Sequence, residues 1–175
     1  MGNFKEKYKN IIFKNKKFCI IVDNYGIKND DEFLDSIADI LSRNECIISF
    51  VKNSITDKKY IDLSRKIKML CSEFNSIFII NSRADIAFIT ESSGILLNQD
   101  DISVNDANEI LGENCFTGIL TDKLTGDDIA NKNIDFILCK NVNENEILNT
   151  DKPVFIKTQH DVYNKGNFKT FMIKS

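Results

Sequence analysis

The segment from Phe78 to Gly112, FIINSRADIAFITESSGILLNQDDISVNDANEILG, decides the fold class that the sequence predicts. Residues 78–80 and 94–97 are apolar runs too short for helices, which is typical of buried parallel strands. Residues 84–89 suit a short helix between them, and Ser103 can cap a second helix that ends at the final glycine. Polar groups follow both strands, at the end where α/β sheets and barrels bind ligands. The segment therefore predicts two consecutive strand–helix units with a site at their carboxyl ends.

The rest of the chain repeats this alternation of short apolar runs and amphipathic stretches. Further strands are predicted at residues 18–22, 46–51, 115–119, 134–139, 153–156 and 170–173. Such an alternation predicts a parallel sheet with right-handed crossovers. Eight strands in so short a chain favour an α/β fold of the compact (β/α)8 TIM-barrel kind, with the last helices shortened or lost. An open flavodoxin-like sheet of five or six strands is the alternative.

Capping residues and apolar spacing predict where the helices lie. Asp30 or Asp31 can cap the first helix, and Asp57 can cap a longer second helix. A polar break at residues 121–122 is expected to end the fifth strand before a short helical segment near residues 126–131. Only about two helical turns fit between the sixth and seventh strands, and a short loop leads to the eighth. The barrel is therefore expected to lose its outer layer near the end of the chain.

Composition limits the classes of function that the chain can have. A formal net charge of −3 leaves no electrostatic footprint for nucleic acid, so no nucleic-acid partner is expected. Residues 1–17 are rich in lysine and predict a basic, solvated extension, which leaves residues 18–175 as a single domain. No apolar run approaches the roughly 20 residues that span a bilayer, and no secretory signal is recognised, so no membrane partner is expected. Five widely spaced cysteines predict reduced, buried thiols in a cytoplasmic protein.

Two motifs in the opening segment carry a resemblance to a known family. The chain reads NSRADIA from Asn81, then GILLNQDDI from Gly94, then Leu-Gly at residues 111–112. Their order and separation resemble N-D-R-x-D-x-A, G-V-H-L-G-Q-x-D-L and a final L-G in the thiamine phosphate synthase and thiazole tautomerase family. The resemblance implies a (β/α)8 barrel and the joining of hydroxymethylpyrimidine diphosphate to thiazole phosphate with release of pyrophosphate. It also implies Mg²⁺ as a cofactor that offsets charge on the departing diphosphate.

The resemblance also implies roles for particular side chains. Lys52 matches the lysine of the family's Q-x-R-x-K in the second strand, and Asn81 and Gln99 match substrate-binding positions. Asp101 matches a metal-binding aspartate. Each has a structural alternative: Lys52 can be solvated, Asn81 can hold a turn, Gln99 can be a loop residue and Asp101 can favour helix entry. No catalytic residue is assigned.

Several positions depart from the family's motifs. Ser82 stands where the family has a second magnesium-binding aspartate, and Asn98 stands where it has glycine. Apolar residues or a lost glycine segment replace phosphate-holding or substrate-binding groups at Ile48, Phe50, Leu96, Leu120 and residues 156–159. Arginine gives bidentate contacts to phosphate that an apolar ring cannot give. We therefore expect a degenerate diphosphate site with weak or absent synthase activity.

Two other functions are open. One is a non-catalytic barrel, either a subunit or a small-molecule-binding protein, whose lost helices favour homo-oligomer formation. The other is a thiazole tautomerase-like enzyme that needs one acid/base residue and no diphosphate site. The expected ligand is a small phosphate or a thiazole-like or pyrimidine-like molecule. Lys157, Gln159 and His160 are a further hypothetical polar cluster at the mouth.

Overall fold

The computed structural model describes residues 18–24, 29–112, 114–141, 150–158 and 168–173. Within these residues, eight strands form a closed barrel in the order of the sequence. They are β1 (Phe18–Val22), β2 (Ile47–Phe50), β3 (Ile77–Asn81), β4 (Gly94–Leu97), β5 (Phe116–Lys123), β6 (Phe136–Asn141), β7 (Val154–Lys157) and β8 (Lys169–Ile173). The closed α/β barrel confirms the predicted fold class. The predicted basic extension, the predicted helical turns after the sixth strand, Gln159 and His160 lie outside the described residues.

Five described helices follow the first five strands. They are α1 (Asp30–Arg43), α2 (Asp57–Glu73), α3 (Ala84–Thr90), α4 (Val104–Leu111) and α5 (Gly126–Ala130). The predicted start and end of α4 are confirmed, because Ser103 accepts a hydrogen bond from the Asp106 backbone and Gly112 follows with a φ of 74°. No helix in the described part of the chain is long and apolar enough to cross a membrane.

The predicted caps of the first two helices were wrong, because in each helix the cap precedes the predicted residue. The side chain of Asn29 accepts from the Glu32 backbone at the start of α1, and that of Thr56 accepts from the Lys59 backbone at the start of α2. Both cap residues have extended backbone conformations, which direct a side-chain oxygen onto the first turn. Asp30 and Asp57 are instead first-turn acids, where the helix dipole favours negative charge.

The last strand runs against the others. β1 to β7 are parallel to one another. β8, which lies between β7 and β1, is antiparallel to both. Ile156 pairs with Met172 on one side, and Cys19 pairs with Phe171 on the other. An all-parallel sheet was therefore the wrong expectation at this strand. A parallel return needs a crossover of roughly a dozen or more residues, usually with a helix, whereas a hairpin-like return needs only a short connection.

The fifth strand is longer than predicted. β5 continues through Thr121 and Asp122, where a polar break was expected, and it stays paired with β6 as far as Lys123 opposite Asn141. The hydroxyl of Thr121 donates to the Lys123 carbonyl at 2.8 Å. Backbone pairing does not require apolar side chains at a strand end, so the polar pair remains in the sheet. The extension raises one wall of the barrel mouth.

Alternating side chains divide the core into a barrel interior and an outer layer. The interior cluster draws on every strand and on no helix: Cys19, Ile21, Ile47, Ile77, Ile79, Leu96, Phe116, Phe136, Leu138, Phe155 and Phe171. The opposite faces of the first three strands pack against α1 and α2 through residues such as Ile20, Phe50 and Phe78. The interior is therefore filled with side chains, as in other closed α/β barrels.

All five cysteines are buried thiols outside any disulfide, as predicted. Burial, with a smaller contribution from Cys46, raises the pKa of the Cys19 and Cys71 thiols well above the ordinary value. A raised pKa keeps these thiols neutral, which suits side chains that pack as small apolar groups.

The tight interior packing requires glycine at position 118, because there is no space for a side chain there. A Cβ at this position would lie 2.2 Å from Cζ of Phe136. We expect Gly118→Ala to reduce the free energy of unfolding by about 1–3 kcal/mol, because the ring cannot move within a filled interior. Urea unfolding followed by circular dichroism measures the change.

Gly126→Ala is the matched control. A Cβ at Gly126 meets nothing within 4 Å, so the free energy of unfolding should stay the same or rise slightly. Equal stability of the Gly118→Ala variant and the native protein would contradict the interpretation of Gly118.

Candidate functional site at the barrel mouth

The carboxyl ends of β3, β4 and β5 bring three inward-facing positions to one edge of the barrel. Asn81 is the last residue of β3, Asn98 follows β4 directly, and Leu120 lies in β5. They continue the alternation that places Ile79 and Leu96 in the interior cluster. Because parallel strands end at the same side, residues far apart in the sequence meet here.

The side chain of Asn98 connects the predicted site residues. Its amide nitrogen donates to Oδ1 of Asn81 at 3.2 Å, Oγ of Ser82 at 2.6 Å and Oδ2 of Asp101 at 3.0 Å. The hydroxyl of Ser82 in turn donates to Oδ1 of Asn81 at 2.8 Å. The structure thus joins Asn81 to Asp101 through Asn98, a position at which the family motif has glycine. The sequence signal that could have identified Asn98 is its place directly before Gln99, a predicted site residue.

Asp101 closes the turn that follows β4. Its Oδ2 accepts from the Asn98 backbone at 2.6 Å, and its own backbone N–H donates to the Asn98 carbonyl at 3.1 Å. These bonds hold residues 98–101 in one conformation ahead of α4. The geometry is that of a turn-forming aspartate, which differs from the helix-entry acid that was the structural alternative to metal binding.

Ser82 has a left-handed backbone conformation, with a φ of 65°. Its backbone N–H donates to the Leu96 carbonyl at 2.9 Å, and the Arg83 N–H donates to the Asn81 carbonyl at 2.8 Å. Few non-glycine residues adopt this conformation, and asparagine and aspartate do so most readily. The turn after β3 therefore directs the Ser82 hydroxyl toward Asn98.

Lys52 and Arg83 lie in an ion-pair network on the other side of Asn81. The Lys52 ammonium is 2.9 Å from Oδ1 of Asp57, which Arg83 also contacts at 3.2 Å. Arg83 makes two further bonds to Asp85, at 2.8 and 2.6 Å. Hydrogen bonds from Arg83 lower the pKa of both carboxyl groups, with Lys52 adding to the effect at Asp57. Both cations already have carboxylate partners.

In β2, Ile48 and Phe50, which align with the family's Gln and Arg, point away from the mouth. Phe50 packs in the outer layer, with its ring centroid 4.7 Å from that of Tyr60 and 5.4 Å from that of Phe33. The Tyr60 hydroxyl donates to the Phe50 carbonyl at 2.5 Å, and burial raises the pKa of this phenol. Ile47 faces the interior instead. Strand alternation therefore places Ile48 and Phe50 in the outer layer against the helices, not at the mouth.

A cavity of about 430 Å³ lies over the ends of β4 and β5 and beside the first turns of α4 and α5. Its lining comprises Leu97, Asn98, Gln99, Asp101, Ile102, Ser103, Val104, Ile119, Leu120, Thr121, Thr125 and Asp128. Of the predicted site residues, Gln99 and Asp101 line it, whereas Lys52 and Asn81 do not. Among the residues that the structure describes, the lining contains two carboxylates and no lysine or arginine. Its electrostatic character is therefore acidic.

The polar atoms that face the cavity are mainly hydrogen-bond acceptors. Oδ2 of Asp128 accepts from the backbone and hydroxyl of Thr125, and Oδ2 of Asp101 accepts from Asn98. Oδ1 of either carboxylate receives no hydrogen bond from the described residues. Gln99 makes one long contact, 3.5 Å from its amide nitrogen to the Thr121 hydroxyl. The cavity thus suits a ligand with hydrogen-bond donors and an apolar body.

These residues do not fit a magnesium ion. The oxygens of Asn81, Ser82 and Asp101 that face one another already accept hydrogen bonds from Asn98. Mg²⁺ requires near-octahedral oxygen ligands at roughly 2.0–2.1 Å, commonly with carboxylates among them. In the described part of the chain, no group of three or more His, Cys, Asp or Glu side chains could hold a metal.

A closed eight-stranded α/β barrel with polar side chains gathered at the carboxyl ends of its strands belongs to the class of barrels that bind ligands at that end. A family model described as thiamine monophosphate synthase matches residues 18–173. The chain therefore belongs to the thiamine monophosphate synthase family, and the resemblance in the two motifs is confirmed.

Individual relatives agree with this assignment. The chain is 32% identical over 118 residues to a thiamine-phosphate synthase of Prochlorococcus marinus (strain AS9601), covering 67% of this chain and 32% of the relative. It is 28% identical over 104 residues to a thiamine-phosphate synthase of Campylobacter jejuni (serotype O:23/36), covering 59% of this chain and 50% of the relative. The chain thus matches about a third and a half of the length of these two relatives.

A solved structure shows the same fold. The thiamine phosphate pyrophosphorylase from Pyrococcus furiosus superposes with a TM-score of 0.71 at 18% identity, over 84% of this chain and 76% of that chain.

The turn-forming role of Asp101 can be tested by its removal. We expect Asp101→Ala to reduce the free energy of unfolding by about 1–3 kcal/mol, because the backbone N–H and the side-chain amide of Asn98 lose their acceptor. Urea unfolding measures the change.

The adjacent Asp100 provides a matched control, since it is exposed and accepts no hydrogen bond from the described residues. Asp100→Ala should leave the unfolding midpoint unchanged. Equal midpoints for the two alanine variants would show that Asp101 does not stabilise the turn.

Proposed function

We propose that this chain is a thiamine phosphate synthase-like barrel whose mouth binds an unphosphorylated thiazole-like or pyrimidine-like heterocycle, and whose synthase activity is weak or absent. The observation that carries the proposal is the charge of the cavity. Asp101 and Asp128 line it, and no lysine or arginine among the described residues does. A neutral or weakly basic ring suits such a lining better than a phosphorylated one.

A diphosphate would be repelled by the carboxylates that line the cavity. Two unit charges of the same sign repel by about 4 kcal/mol at a separation of 4 Å near a protein surface. A diphosphate in this cavity would face Asp101 and Asp128 without a compensating cation from the described lining. The family reaction also requires stabilisation of the departing diphosphate in the transition state. The acidic lining therefore opposes both the binding of the anion and its departure as a leaving group.

The cations near the mouth do not offset the repulsion between the diphosphate and the cavity's carboxylates. Lys52 and Arg83 share Asp57, and Arg83 also pairs with Asp85. For Lys52 to hold a phosphate, as the family resemblance implies, it would have to leave Asp57. That exchange offers little net gain, because one anionic partner replaces another. We propose Lys52 as a secondary contact for an anionic group at the edge of the mouth.

The described side chains suggest how a heterocycle would bind. Leu97, Ile119 and Leu120 supply apolar walls for a flat ring. The free carboxylate oxygens of Asp101 and Asp128 and the amide of Gln99 supply acceptors for exocyclic amino or hydroxyl groups. A cavity of about 430 Å³ lies within the usual range for small-molecule sites. We place this activity in the cytoplasm, where the five free, buried thiols would remain reduced.

Thermal unfolding with four ligands tests the proposed ligand class. Hydroxymethylpyrimidine or the thiazole alcohol should raise the Tm by several degrees at concentrations well above Kd, because a ligand that binds only the folded state stabilises it. The corresponding pyrimidine diphosphate and thiazole phosphate should shift the Tm by less than the free heterocycles.

A blocked cavity supplies the control for this measurement. Leu120→Trp should abolish the ligand-induced shift, whereas Met172→Trp, at an exposed position on β8, should retain it. A larger shift with the diphosphate than with either free heterocycle would refute the proposed ligand class.

A synthase assay tests the second half of the proposal. With hydroxymethylpyrimidine diphosphate, thiazole phosphate and Mg²⁺ present, we expect thiamine phosphate formation at least about a hundredfold slower than in an active family member, the order of loss for one missing electrostatic contact. Chromatography of the product measures the rate, and the active family member serves as the positive control. Turnover comparable to that of the active enzyme would contradict the proposed impairment.

A further inference from the structure

The amide nitrogen of Asn98 lies among three oxygen atoms that converge from two strands. We infer that this amide occupies the place of a cation, so that the mouth is organised by an internal hydrogen-bond donor instead of a bound metal. Asn98 and Ser82 would then be the pair of residues that makes this barrel independent of divalent cations. The inference does not depend on which organic ligand enters the cavity.

The contacts define the position of the amide. Oγ of Ser82 lies 2.6 Å from Nδ2 of Asn98, Oδ2 of Asp101 lies at 3.0 Å, and Oδ1 of Asn81 lies at 3.2 Å. A hydroxyl, a carboxylate and an amide carbonyl are all oxygen ligands that Mg²⁺ and Mn²⁺ accept. The Ser82 hydroxyl donates to Oδ1 of Asn81, but Oγ of Ser82 and Oδ2 of Asp101 still need a donor between the two strands. The two N–H groups of Asn98 provide it.

The two substitutions relative to the family motifs compensate each other. The motif has aspartate at position 82 and glycine at position 98, which leaves two carboxylates beside an open space. This chain has Ser82 and Asn98. One negative charge is removed, and a donor fills the space. Either change alone would leave the cluster unbalanced, with too few ligands for a metal or too many acceptors for one amide.

The backbone already accommodates the reverse change. Ser82 has a φ of 65°, a conformation that aspartate adopts more readily than serine. The backbone N–H of residue 98 would keep its bond to Asp101 in a glycine variant, because that bond does not involve the Asn98 side chain. Ser82→Asp with Asn98→Gly should therefore open a cation site without moving β3 or β4.

Manganese binding by the full chain tests the inference. Titration of Mn²⁺, followed by the electron paramagnetic resonance signal of the free ion, should give one saturable site in the double variant S82D/N98G. The native protein should show no saturable site over the same range of Mn²⁺ concentration. A native protein that binds one Mn²⁺ as tightly as the double variant overturns the inference. So does a folded double variant that binds none.

A single isosteric change supplies a second measurement in case the double variant does not fold. Asn98→Asp replaces the donor with a carboxylate facing Asp101, so its Tm in EDTA should fall by several degrees. Added Mn²⁺ should restore that loss in Asn98→Asp and leave the native Tm unchanged.

Asn105→Asp is the matched control, an exposed position on the first turn of α4 outside this cluster, and its Tm should not respond to Mn²⁺. If the Tm of Asn98→Asp equals that of the native protein and is unaffected by Mn²⁺, the amide does not stand in for a cation. These outcomes are independent of the thermal shifts with heterocycles, since no organic ligand is present.

Discussion

Closure of the sheet by β8 is the constraint on which the rest of the structure depends. A sheet that ended at β7 would leave backbone N–H and C=O groups unpaired along β1 and β7, two edges open to pairing with other chains. β8 pairs with both edges in the antiparallel direction. Closure creates an enclosed interior, which aromatic rings fill. The ring centroids of Phe136 and Phe155, for example, are 6.3 Å apart. It also fixes the mouth at which β3, β4 and β5 end together.

The polar cluster at the mouth follows from that geometry. Asn81 and Asn98 are 17 residues apart in the sequence, yet neighbouring parallel strands bring their side chains to 3.2 Å. The cluster is satisfied internally, whereas Lys52 and Arg83 are engaged with Asp57 and Asp85. What is left for a ligand is an acidic cavity with apolar walls beside the cluster. The motifs thus establish family membership, whereas the substitutions within them set the hydrogen bonds at the mouth.

Features of the fold and site were predictable from sequence where interactions between residues close in the chain determine them. β1, β4 and α4 have the predicted bounds, because an apolar run flanked by polar residues, or a serine cap and a terminal glycine, needs only neighbours in the chain. The extent of β5 was missed, since pairing with β6 carries it through Thr121. The direction of β8 and the outward position of Phe50 were also missed. Each depends on which strand or helix lies alongside, and that partner is distant in sequence.

The sequence by itself determined the number and order of the strands, the α/β class and the family, because the chain carries a regular hydrophobic periodicity and two motifs at a fixed separation. The structure decided that the sheet closes into a barrel. Only the tertiary structure decided what the motif residues do. Asp101 accepts from Asn98, Asn98 reaches Asn81 and Ser82, and Lys52 pairs with Asp57. Hydrogen bonds and ion pairs act over about 3 Å, so they are set by the positions of side chains in space and not by their spacing in the sequence.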